Sequence, residues 1–114
     1  MTSTTSNVVS IKQHLPEPMM GRSRVGFSIN LGEIGMRRFL SNLPEGQASY
    51  YESRANDLKE PVVEVVMPDF FENTFDLSEP EKAISEMQAM SRHHHLNTTT
   101  YILDRVAMAV AAQA

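Results

Sequence analysis

The stretch Asn73-Thr74-Phe75-Asp76-Leu77-Ser78-Glu79-Pro80-Glu81, followed by apolar residues at Ala83, Ile84, Met87 and Met90, decides how this chain is read. Asn73 to Leu77 is a short strand candidate. Ser78 then offers a hydroxyl as N-cap, Pro80 suits a first helical turn, and Glu81 completes a capping box. Ala83, Ile84, Met87 and Met90 recur at helical spacing and form an amphipathic stripe. The helix is expected to fray at His93-His94-His95. Asn97 is placed as N-cap of a last helix, Thr98 to about Ala112. Its apolar face holds Ile102, Val106, Ala109 and Val110, with Leu103 and Met108 flanking. Residues 73–114 therefore read as one strand–helix–helix unit.

Upstream, Arg24 to Leu31 alternates cleanly. Val25, Phe27, Ile29 and Leu31 point one way, and Arg24, Gly26, Ser28 and Asn30 the other, the period of a half-buried strand. Glu33 to Leu43 switches to helical spacing through Ile34, Met36, Phe39, Leu40 and Leu43, and Pro44 and Gly46 end it. Ser49 to Leu58 reads as a more polar helix with Ser49 as its cap. Val62-Val63-Glu64-Val65-Val66 is β-branched and reads as a strand stopped by Pro68. Asp69 to Glu72 is an acidic aromatic turn. Residues 23–72 thus form a strand–helix(–helix)–strand region. Residues 1–22, polar at the start and broken by Pro16 and Pro18, read as a flexible arm, within which Val8-Val9-Ser10-Ile11 could add a strand or dock on a partner.

The run Phe75-Asp76-Leu77-Ser78-Glu79-Pro80, the stripe Ala83, Ile84, Met87 and Met90, Asn97 seventeen residues after Pro80, and Ile102-Leu103-Asp104-Arg105-Val106 together resemble the ribbon-helix-helix repressors of the Arc type. The resemblance covers the C-terminal forty residues or so. It implies that two strands from two chains pair antiparallel into a ribbon, so that folding and dimerisation are coupled. Phe75 and Leu77 would lie on one ribbon face. Thr74, Asp76 and Ser78 would lie on the face that the family places in the major groove. Asn97, Thr98 and Thr99 would present a helix N-terminus to phosphate. Asp76 departs from the Arg, Lys, Gln or Asn usual on that face, because a carboxylate is repelled by phosphates.

A second copy of the pattern lies at 24–58. Phe27-Ser28-Ile29-Asn30-Leu31-Gly32 resembles the family's strand, and Ser49 falls seventeen residues after Gly32. Two such units would pair as an internal pseudo-dimer, with Arg24, Ser28 and Asn30 as the polar ribbon face. The fold expected is α+β, a dimeric or tandem ribbon-helix-helix-like unit. The alternative is a small α+β domain with a three-stranded antiparallel sheet, since the tandem reading leaves Val62 to Val66 without a role.

Composition narrows the function. The chain has 114 residues, 41% apolar and 21% charged, with a net charge of −4. Having no Cys, it has no disulfide framework, thiolate nucleophile or Cys-ligated zinc. No apolar run reaches a membrane span and the N-terminus lacks a secretory pattern, so no membrane partner and a cytoplasmic location are expected. Three consecutive His point in three directions on a helix, which does not suit a metal site. The acidic groups Asp69, Glu72, Asp76, Glu79 and Glu81 have no nucleophile beside them, and Gly21, Gly26, Gly32, Gly35 and Gly46 match no phosphate-binding fingerprint. No enzyme activity, metal or cofactor is therefore expected. Arg22, Arg24, Arg37 and Arg38 form a candidate phosphate-contacting patch, and Tyr50-Tyr51 offers rings that could stack on bases.

Two functions follow. One is a small regulator or accessory factor that binds duplex DNA as a dimer or higher oligomer. The other is an acidic protein-interaction module on the same scaffold, acting as an inhibitor, an antitoxin-like factor or an assembly factor. The negative balance favours the second.

Overall fold

A computed structural model describes residues 10–14 and 24–113. Strands β1 (Ser10–His14), β2 (Arg24–Asn30) and β3 (Val62–Pro68) form one antiparallel sheet in the order β1-β2-β3. Helices α1 (Gly32–Ser41) and α2 (Glu45–Leu58) join β2 to β3. A 3-10 turn at Asp69–Phe71 and an irregular loop then lead to α3 (Pro80–His93) and α4 (Asn97–Gln113). The architecture is α+β with a three-stranded antiparallel sheet, the alternative raised by the sequence.

β2 is the central strand because one of its faces is apolar throughout. Val25, Phe27, Ile29 and the following Leu31 are fully buried, each worth about 1.5–3 kcal/mol. Val63, Val65 and Met67 of β3 continue that face, and Ile11 of β1, opposite Ile29, extends it to the other edge. Gly35, Met36 and Phe39 of α1, Ala83, Ile84 and Met87 of α3, and Ile102, Leu103, Val106 and Ala109 of α4 close over it. The turn from β2 into α1 needs a glycine, since Gly32 has φ 74° while its N–H donates to the Asn30 side chain.

The structure moves the second strand. Asn73–Leu77 is not extended. Asn73 has φ 60°, and the Asp76 carboxylate accepts from the Ser78 N–H at 3.0 Å and from the Ser78 hydroxyl. Local side-chain bonding of this kind competes with a strand ladder. Phe75 turns inward instead, edge-on to Phe27 at 5.7 Å and stacked on Phe71 at 6.1 Å. Phe75, Met87 and Ile102 are 7%, 0% and 4% exposed within the single chain, so residues of the same chain cover them.

β2 pairs with β1 on one side and on the other with β3, the segment the tandem reading left without a role. The chain therefore runs strand–helix–helix twice, β2-α1-α2 and β3-α3-α4. The two strands pair antiparallel with Phe27 opposite Val65 at their centre. The repeats differ in their connections, because Asp69–Glu79 separates β3 from α3 whereas Leu31 alone separates β2 from α1.

The caps also shift. α2 begins four residues before Ser49, with Pro44 at the N-cap. Glu79 rather than Ser78 occupies the cap of α3, with Pro80 in the first turn as expected. The first bond of α4 runs from the Thr100 N–H to the Leu96 carbonyl, which puts Asn97 in the first turn rather than at the cap. Part of the expected N-terminal arm is ordered as β1. Residues 1–9 and 15–22 of that arm lie outside the described residues.

Candidate nucleic-acid interface

The strand register sorts the sheet residues into two faces. Away from the core, Ser10, Lys12 and His14 of β1 stand beside Asn30, Ser28 and Gly26 of β2, and these stand beside Val62, Glu64 and Val66 of β3. Arg24 shares this face, opposite Pro68. The expected set Arg24, Ser28 and Asn30 is thus brought together, joined by Lys12 and His14. Sequence reasoning missed those two because a five-residue strand with one buried apolar side chain carries little periodic signal.

Most polar groups on this face are already paired. His14 Nε2 and Ser28 Oγ lie 2.9 Å apart, and the imidazole lies over Gly26, where an added Cβ would meet it at 3.0 Å. Asn30 Oδ1 accepts from Gly32, leaving the amide nitrogen to act as a donor. Glu64, the carboxylate on the face, accepts from Arg54 Nε of α2 at 2.7 Å. That hydrogen bond and the carboxylate charge raise the guanidinium's pKa further. Lys12, His14 and Arg24 are exposed. With Glu64 neutralised by Arg54, the face presents positive charge from Lys12 and Arg24, although the whole chain is acidic.

The second expected set meets the first at one edge of the sheet. Arg24, Asn97, Thr98 and Thr99 line a shallow depression of about 240 Å3, together with Val66 and Pro68. Thr99 Oγ1 donates to the Val66 carbonyl at 3.1 Å and ties the first turn of α4 to β3. First-turn N–H groups have no acceptor within their own helix and sit at its positive end. Arg24 and that turn thus line the same depression.

The third expected set is elsewhere. Thr74, Asp76 and Ser78 lie in the irregular loop, exposed and off the sheet. The Ser78 hydroxyl and N–H hold the Asp76 carboxyl below its ordinary pKa, with Lys82 assisting. The loop is tied down where Gln13 bonds the Asn73 backbone N–H and side chain.

The remaining chemistry-bearing residues take packing positions. His94 sits against the rings of Phe70 and Phe71, at 5.5 and 5.2 Å. His95 makes the turn into α4 at φ 57°. Arg92 pairs with Asp104 at 3.0 Å. Among the described residues, no three His, Asp or Glu side chains cluster to hold a metal ion, and no helix is long and apolar enough to cross a membrane. Comparison with family models, curated proteins and solved structures finds no match to this chain.

Proposed function

We propose that this chain is a small DNA-binding regulator or accessory factor whose docking surface is the outward face of the sheet. The observation that carries the reading is the gathering of Lys12, His14, Arg24, Ser28 and Asn30 on one sheet face, with Arg24 beside the first turn of α4. Strands of an antiparallel sheet can enter the major groove, here with β1 flanking the β2–β3 pair, and backbone N–H groups at a helix N-terminus hold a flanking phosphate. The doubled strand–helix–helix order supports a ribbon-helix-helix-like pseudo-dimer. β2 and β3 would form the ribbon, and one chain would supply both halves. Thr74, Asp76 and Ser78 have no part in this surface.

The acidic balance is reconciled by position. Asp69, Glu72, Asp76, Glu79 and Glu81 belong to the turn, the loop and the start of α3. Gln13, which anchors the loop, alternates with Lys12 and His14 and so belongs to the core-side face of β1. The test is an anisotropy titration with random-sequence duplex at about 50 mM and about 200 mM salt, where phosphate-driven binding falls steeply. Arg24→Ala and Lys12→Ala each lower affinity across all sequences and reduce the salt slope by about one. Absence of binding at the lower salt refutes the reading.

The second reading, an acidic protein-interaction module, is favoured by one observation. Phe70 is 63% exposed and sits between Asp69 and Glu72, an acidic aromatic surface suited to a basic partner. Failure to bind duplex would leave this reading in place.

A further inference from the structure

All three tyrosines of the chain line one groove. It has a volume of about 640 Å3 and lies between the N-terminal parts of α2 and α4. Tyr50 and Tyr51 come from α2 and Tyr101 from α4, with Gln47, Asn97 and Thr98 beside them. Each ring has an aromatic or cationic neighbour. Tyr51 is half-buried and edge-on to Phe39 at 5.4 Å, Tyr50 stands edge-on to Tyr51 at 5.0 Å, and the Arg105 guanidinium lies 4.1 Å from the Tyr101 ring centre. Tyr50 is 62% exposed, so a large part of an aromatic ring faces solvent.

The charge around the groove is also specific. Pro44 precedes α2 without a side-chain cap, and Leu96 precedes α4 with no polar side chain to offer. Both helices bring their positive ends to the groove, offset in part by Glu45 in the first turn of α2. Asn97 and Thr98 belong both to this groove and to the depression that holds Arg24.

We propose that the groove holds an unpaired nucleotide of a bound nucleic acid, with its base against the tyrosine rings and its phosphate at the first turn of α4. Aromatic rings stack on bases whatever their identity, and the amides of Gln47 and Asn97 match the donors and acceptors of a base edge. A phosphorylated peptide would use the helix ends but would leave the exposed Tyr50 ring without a planar partner. The inference rests on the sheet face binding DNA. It adds that a strand running past Arg24 continues over the α4 turn into an aromatic site, so the preferred ligand is duplex with a single-stranded extension.

The chain has no Trp, so its intrinsic emission comes from these three tyrosines alone. Two probes are titrated into the full chain, a blunt duplex and the same duplex with a single-stranded tail of about eight nucleotides. Anisotropy and tyrosine emission are followed together. The tailed duplex is expected to bind roughly tenfold tighter and to quench the emission. Tyr50→Leu, at an exposed position, should abolish the advantage of the tail and leave blunt-duplex affinity unchanged. Arg24→Ala should weaken both probes. Equal affinities with unquenched emission would overturn the groove proposal and leave the sheet-face reading standing. Binding of neither probe would overturn both.

Discussion

Replacing Phe75 tests whether this chain folds alone. An exchanged ribbon would put Phe75 on a strand paired with another molecule, whereas the structure makes it an internal plug between Phe27 and Phe71. At 7% exposure, truncation to Ala removes nearly the whole ring from the core. Such truncations cost about 3–5 kcal/mol, a range that includes aromatic contacts worth about 0.5–1.5 kcal/mol each. A domain of this size has a total stability of about 5–15 kcal/mol, so Phe75→Ala removes a large share of it. Phe75→Leu, which keeps most of the apolar volume, should cost about 1–1.5 kcal/mol. The assay is urea unfolding followed by circular dichroism at two protein concentrations about a hundredfold apart. Midpoints of wild type and Phe75→Leu should not depend on concentration, because the buried partners of Phe75 belong to the same chain. A midpoint that climbs with concentration, or a Phe75→Ala loss below about 1 kcal/mol, would refute the single-chain core.

Other expectations concern single interactions. Ser91 is fully buried and bonds both the Gln88 carbonyl and the Thr100 hydroxyl, so Ser91→Ala should cost about 1–2 kcal/mol in the same urea assay. Lys59 ends α2 in the left-handed region at φ 60°, where Gly is unstrained, so Lys59→Gly should raise the melting temperature or leave it unchanged. Burial first, then the charges of Tyr50 and Glu64, raise the Tyr51 phenol above its ordinary pKa of 10.0. The folded chain thus holds that proton more tightly than the unfolded chain. The resulting stability is fully present below pH 10.0 and is lost as pH rises through the raised value. Urea midpoints measured on either side of that pH should fall on the alkaline side, and Tyr51→Phe should flatten part of the decline.

Where one segment's pattern determined its environment, the sequence was legible. The alternation from Val25 to Leu31 could bury only one face, and it became the central strand. The stripe through Ala83, Ile84 and Met87, and the face of Ile102, Val106 and Ala109, packed as their spacing required. What could not be read locally was the choice between two candidate second strands. Asn73–Leu77 fitted the expected spacing to the following helix, while Val62–Val66 had the stronger β-branched character. The Asp76–Ser78 bonds and the left-handed Asn73 go with the irregular loop; Asn, Asp and Ser favour such turns, but their residue types alone do not say whether a turn or a strand forms. β1 was legible only as an optional strand ending at Ile11, with its register out of reach. Ile11 gains its burial only by lying opposite Ile29, a partner eighteen positions away.

The same distinction bears on charge. A net of −4 taken over the chain argues against phosphate binding, but a ligand meets a surface rather than a sum. Salt screens exposed charges beyond about 8–10 Å, so groups within one face dominate what a docked strand experiences. Among the described residues, the carboxylate on the outward sheet face is Glu64, and Arg54 from α2 lies against it at 2.7 Å. If that pairing keeps the face cationic, Arg54→Met should weaken duplex binding even though Arg54 belongs to a helix rather than to the sheet. Glu64→Gln should strengthen binding, and the double variant should restore near wild-type affinity. A double variant that binds as weakly as Arg54→Met alone would mean that Arg54 touches the nucleic acid directly rather than balancing Glu64. Unchanged affinity in both single variants would remove the sheet face from the interface.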